Sequence, residues 1–192
     1  MDDKPTILTK TRDEAWRLLC EWTQSDSLRK HMLAVEAAMC GAARRAGEDE
    51  ELWGLTGLLH DFDYERFPNV PDHPLKGSEA LRAQGYPEPM IRAILGHAAQ
   101  TGVPRDTLLA KTLFAVDELC GFLTAVAYVR PSRSLAEVEV SSVKKKLKDK
   151  AFARSVNRDD IVQGAQELDV DMDTHIARVL ADLQAVAPSL GL

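Results

Sequence analysis

Between Pro104 and Pro131 the sequence holds one long helical stretch with an acid at its middle. Pro104 or Asp106 opens the helix, it runs to about Val129, and Pro131 stops it. The helical neighbours of Asp117, three and four residues away, are Leu113, Phe114, Cys120 and Gly121. A face of that composition is buried on folding, so Asp117 is expected inside the protein. A buried, ionised carboxylate needs a cation or strong hydrogen bonds. Any fold for this chain must therefore bring a cation or strong hydrogen-bond donors to Asp117, and a metal ion is one way to supply the cation.

The rest of the chain also has helical spacing. Thr11 or Asp13 can cap a helix running to about Thr23, with Ala15, Leu18, Leu19 and Trp22 on one face. Asp26 or Ser27 starts the next, where Leu28, Met32, Val35 and Met39 recur at helical spacing beside His31. A third runs from about Asp49 to His60. His73-Pro74 starts another, since proline suits the first helical position, and Gly85 closes it. Pro87 helps begin a helix through His97. Val140 to Lys148, Asn157 to Leu168 and Asp171 to Ala187 follow the long central helix. No segment sustains strand alternation, so the fold class is all-α, with about eight or nine helices. The chain reads as one domain, 1–192, with 134–192 as a C-terminal helical extension packed on it.

A chain of 192 residues can bury a sizeable core. The formal charge of −6 argues against nucleic-acid polymers and anionic membrane surfaces as partners. No apolar run approaches the ~20 residues of a membrane span. Met1-Asp2-Asp3-Lys4-Pro5 lacks the apolar core of a signal peptide. Cys20, Cys40 and Cys120 have no metal-like spacing and read as reduced thiols. The expected location is cytoplasmic. Oligomeric state is not readable.

Polar chemistry gathers in the first half. The run Gly57-Leu58-Leu59-His60-Asp61-Phe62-Asp63-Tyr64 ends an apolar helix on a His-Asp doublet and enters a proline-bearing loop to about Asp72. Consecutive residues inside a helix point about 100° apart, so both can reach one cation only where the helix is ending. Of the five histidines, His31, His60, His73 and His97 each stand at a helix edge or on an apolar face. His175 follows the acidic run Asp171-Met172-Asp173-Thr174 and reads as exposed.

In order, His31, His60-Asp61, His73, His97 and Asp117 resemble the ligand pattern of the HD superfamily of metal-dependent phosphohydrolases, within its H…HD…H…H…D subgroup, over roughly residues 28 to 133. The contexts His73-Pro74-Leu75-Lys76-Gly77 and Val116-Asp117-Glu118-Leu119 are also similar to HD hydrolases of diadenosine tetraphosphate, where an arginine follows at about the position of Arg133. The run His60 to Glu65, with Ser142 to Lys150, looks like a widespread set of HD proteins of unsettled substrate.

The resemblance implies a helical HD-domain bundle and two divalent transition metals per chain. His31, His60, Asp61 and Asp117 would hold the first, and Asp61 would bridge to a second completed by His73 and His97. Nitrogen and oxygen donors without thiolate suit Fe, Mn, Co, Ni or Zn. The implied activity is hydrolysis of a phosphate ester of a nucleotide or other small phosphorylated molecule by a metal-bound hydroxide. Some proteins of the same pattern are di-iron oxygenases using O₂, and a non-catalytic nucleotide-sensing module is a third reading.

Asp63 and Glu65 are within reach of ligand imidazoles or belong to a solvated loop. Glu118 is a base beside Asp117 or an ion-pair partner. Lys76 is a candidate for meeting a phosphate oxygen. Arg130, Arg133, Lys144, Lys145, Lys146, Lys148, Lys150 and Arg154 form the only basic cluster of an acidic chain. They read as a solvated helix face or as a phosphate-binding rim. Arg133, with Arg130 and Lys145, is the expected phosphate contact, because a guanidinium grips phosphate bidentately.

Overall fold

The structure, a computed structural model, describes residues 9–192, so the reading of Met1–Pro5 lies outside the described residues. Among the described residues there are ten α-helices, two short 3-10 turns at Ala99–Thr101 and Leu135–Glu137, and no strand. The tenth helix is a single turn, Ala187–Leu190, set off by a non-helical Val186 from the last long helix.

Polar caps set the helix starts. Thr11 caps α1 (Arg12–Trp22): its hydroxyl accepts from the Glu14 amide while the Glu14 carboxylate accepts from the Thr11 amide. Ser25 caps α2 (Asp26–Ala46), and Asp49 caps α3 (Glu50–Leu59). A Cβ on Gly57 of α3 would lie 2.8 Å from the Val35 carbonyl oxygen of α2, so the two backbones touch there. Val35 is one turn from His31, and Gly57 is three residues before His60. The contact therefore brings these two histidines to one place.

After α3 the chain makes turns to Asp72 and enters α4 (Asp72–Ala83). His73 and Pro74 have non-helical backbone angles, so regular helix begins only after the proline. Next come α5 (Glu88–His97) and α6 (Leu108–Tyr128), which matches the expected long helix. The axis of the fold is α6, which packs against α2, α5, α8 (Arg158–Glu167) and α9 (Met172–Ala185). Between them lies the short basic α7 (Val140–Leu147).

The core joins residues from both ends of the chain. Leu19, Met32, Leu58, Ile91, Ile94 and Phe122 share it with Ile161, Ile176, Val179 and Leu183. Each such aliphatic side chain contributes roughly 1.5–3 kcal/mol on burial, so α8 and α9 are held to α6 by the same force that folds the first half. None of the described helices is long and apolar enough to cross a membrane. Cys20, Cys40 and Cys120 are free thiols.

Candidate metal centre

Five helices deliver six polar side chains to one place. His31 comes from α2, His60 and Asp61 from the end of α3, His73 from the start of α4, His97 from the end of α5 and Asp117 from mid-α6. His31 Nε2 lies 3.0 Å from Asp117 Oδ1. His60 Nε2 lies 3.4 Å from the same oxygen and 3.5 Å from Asp61 Oδ2. The other oxygen, Asp61 Oδ1, is 3.3 Å from both His73 Nε2 and His97 Nε2. The donor atoms therefore form two groups, His31–His60–Asp61 and Asp61–His73–His97, within each of which they lie inside 4.8 Å of one another. Asp61 belongs to both groups.

Hydrogen bonds on the far side of three rings set their tautomers. His60 Nδ1 donates to the Gly57 carbonyl at 2.8 Å, and His97 Nδ1 donates to the Ile94 carbonyl. A carbonyl can only accept, so the neutral rings carry their proton at Nδ1 and turn a lone pair at Nε2 inward. His73 Nδ1 donates to Asp63 Oδ1 at 2.8 Å. Asp63 is itself buried, and its Oδ2 accepts the Gly77 amide at 2.7 Å. A Cβ at position 77 would come within 2.7 Å of Asp63 Cγ, so glycine is what admits the carboxylate.

The electrostatics favour a cation. Burial opposes a charge on His60, yet Asp61 and Asp117 outweigh it and raise its pKa to about 10. Burial likewise opposes a charge on His73, and Asp61 and Asp63 carry it to about 9. Burial would push the Asp61 and Asp117 carboxyls up, but the surrounding imidazoles hold both well below the usual range. Even so, His60 Nε2 and Asp61 Oδ1 are buried with no hydrogen-bond partner. Leaving such atoms unpaired costs about 1–3 kcal/mol each. Their position facing one another's ligand groups suits a divalent ion of borderline softness, and the absence of any thiolate from the set suits the same ions.

A cleft of about 220 Å³ opens over the cluster. Asp61, His73, His97 and Asp117 form its floor, and Gln100, Phe114, Glu118 and Asp160 its walls. Glu118 is pushed up to about 7, by burial and then by the Asp117 charge. Asp160 comes from α8, and its place beside α6 is a tertiary fact that no local sequence signal announces.

Several expected contacts are elsewhere. The Lys76 amine is 3.1 Å from Glu79, on an exposed side of α4, and does not line the cleft. Arg130 and Arg133 follow the end of α6; the eleven helical steps from Asp117 to Tyr128 span about 16 Å. Arg130 donates to Ser142 Oγ at 2.9 Å, and Arg133 is an exposed turn residue with φ 49°. Lys145 is exposed on α7. None of these four basic residues lines the cleft. Glu65 touches no imidazole: its carboxylate accepts the Gln24 and Ser25 amides and ties the loop to the α1–α2 junction.

His175 corrects another expectation. It is 4% exposed, and its Nε2 donates to the Ala115 carbonyl at 2.9 Å. Asp171 before it caps the helix, accepting the Thr174 amide, while His175 itself falls on the inner face with Ile176 and Val179.

Residues 28–121 match the family model described as HD domain. No curated protein and no solved structure matches the chain.

Proposed function

We propose, on the premise that this chain belongs to the HD domain family, that it is a metal-dependent phosphohydrolase acting on a small phosphorylated molecule. The observation that carries the reading is Asp61, which presents one oxygen to His60 and the other to His73 and His97. One carboxylate placed this way can bridge two metals, with His31, His60 and Asp117 on one side and His73 and His97 on the other. Two divalent transition metals bound there would supply Lewis acidity for activating water and polarising a phosphoryl oxygen.

The protein's own residues do the rest. The Nδ1–H bonds to Gly57, Ile94 and Asp63 keep the imidazoles oriented without reorganisation. Phe114 and Ala98 give the cleft its apolar lining. Glu118 has one partner, the Asn157 amide, and so keeps an oxygen for a hydrogen bond to substrate or water. No serine or cysteine is among the residues lining the cleft, which supports water as the nucleophile.

The test is an iron-free, manganese-reconstituted protein assayed anaerobically on nucleotides, dinucleoside polyphosphates and sugar phosphates. The expected result is phosphate or nucleotide release with ¹⁸O from labelled water in the product. Activity that requires iron and O₂, with label from ¹⁸O₂, would replace this reading with an oxygenase. A full metal complement with no turnover on the panel would favour a sensing module.

A further inference from the structure

The basic stretch after α7 is a built loop. Residues 148–157 fold around one side chain, that of Arg158. Its guanidinium donates to the carbonyl oxygens of Leu147 at 3.1 Å, Asp149 at 3.1 Å, Ala153 at 3.3 Å and Val156 at 3.2 Å, and to that of Phe152. Phe152 packs edge-on against Phe122 of α6, with ring centroids 5.5 Å apart. Ala153 is held at φ 41°, a conformation that non-glycine residues adopt only where their surroundings impose it.

The last residue of the loop is fastened to the cleft. The Asn157 amide donates to Glu118 at 3.2 Å, and its side-chain amide donates to Asp160 at 2.7 Å. Both acids are walls of the cleft over the metal-binding groups. Arg154 stands three residues earlier, so its Cα lies within about 11 Å of that of Asn157. A long arginine side chain spans much of that distance.

The charges of this segment divide into two sets. Lys144 is paired with Asp173, and Lys146 with Asp149. Lys148, Lys150 and Arg154 are exposed, and none has an ion-pair partner among the described residues. The cleft itself has four carboxylates and no lysine or arginine. Any negative charge on a substrate beyond the group held at the metals would therefore meet an acidic wall, unless it were directed toward this loop.

We infer that the Arg158-centred loop, with Arg154 as its principal contact and Lys148 and Lys150 beside it, binds a second anionic group of the substrate. The substrate class is then a small molecule with at least two phosphate or carboxylate groups, one at the metals and one at the cleft rim. This rests on the hydrolase reading of the metal centre. It gives the role expected of Arg133 to a residue three positions from Asn157, which is bonded to two acids of the cleft.

The experiment is calorimetric binding of orthophosphate and of tripolyphosphate to the manganese-loaded protein, with metal content measured before and after. The wild type should prefer tripolyphosphate by about tenfold or more. Arg154→Glu, and separately Lys148→Glu with Lys150→Glu, should remove most of that preference, while Arg154→Lys should keep part of it. Equal affinity for the two anions in the wild type, no tripolyphosphate binding, or a preference that survives both charge reversals would overturn the inference. Failure of the hydrolase reading would be seen separately, as absence of turnover in metal-loaded wild type whatever the ratio of the two affinities.

Discussion

Two of the buried histidines have opposite fates. His60 and His175 are 0% and 4% exposed, and each gives one ring N–H to a backbone carbonyl. At His60 the other nitrogen faces Asp61 and Asp117, and the pKa rises to about 10 against the pull of burial. At His175, in the seam between α9 and α6, burial dominates, Arg178 and Arg45 add to it, and the pKa falls. Burial alone therefore does not mark a ligand. What separates the two is the charge on the side of the ring that the carbonyl leaves free.

The largest test of this contrast is at the shared carboxylate. Asp61→Ala removes a donor from both groups, so metal content should fall from about two per chain toward zero, by elemental analysis after reconstitution. His175→Gln should leave it unchanged. Retention of both metals by Asp61→Ala, or loss of metal from His175→Gln, would break the comparison. Next in size is Asp63→Asn, which weakens the hydrogen bond that orients His73. Metal affinity in a competition assay should drop about 10–100-fold, chiefly at one of two resolved sites.

A third test concerns stability. Ions bound at a hundred times their Kd contribute about 2.7 kcal/mol per site. For a chain of this size that is roughly 5–10 °C in Tm per site. Scanning calorimetry after chelation should show that loss in wild type and a blunted one, short by about one site's share, in Asp117→Asn. His175→Gln should lower the Tm slightly but respond to chelation as wild type does.

A fourth test is in pH dependence, measured on metal-free protein. His60 is raised above 6.5, so its contribution is complete below that value and is lost as pH climbs toward about 10. His175 is depressed, so it takes up its proton more readily when unfolded, and stability falls as pH drops below 6.5. Removing His60 should flatten the alkaline decline, and removing His175 the acidic one. Parallel changes in the two variants would refute the assignment.

Much of this was legible in the sequence, for physical reasons. Asp117 announced itself because its helical neighbours are apolar, and the doublet because it ends an apolar helix. The places of Lys76 and Arg133 were not legible, since a helix face or a turn gives no direction until its neighbours are in place. Asp160 and the Arg158 loop depend on α8 packing against α6, where the Asn157–Glu118 hydrogen bond joins residues 39 positions apart. His175 was readable in principle: Ile176 and Val179 share its buried face, and Asp171 before it is a helix cap, which says nothing of the exposure four residues on.

Gly57 has a consequence for how this protein can vary. The backbones of α2 and α3 meet there with room for one hydrogen atom, and His31 and His60 hang from those backbones about a turn away. The gap between the two ligands is thus gauged by a residue that does not line the cleft and meets a ligand only through its backbone carbonyl, at His60 Nδ1. A methyl group at that position would act as a shim, prising the helices apart and widening the bite of the site while every donor stayed in the sequence. A descendant of this chain could keep its whole ligand signature and still lose its fit for the ion, through a change that an inventory of site residues would pass over.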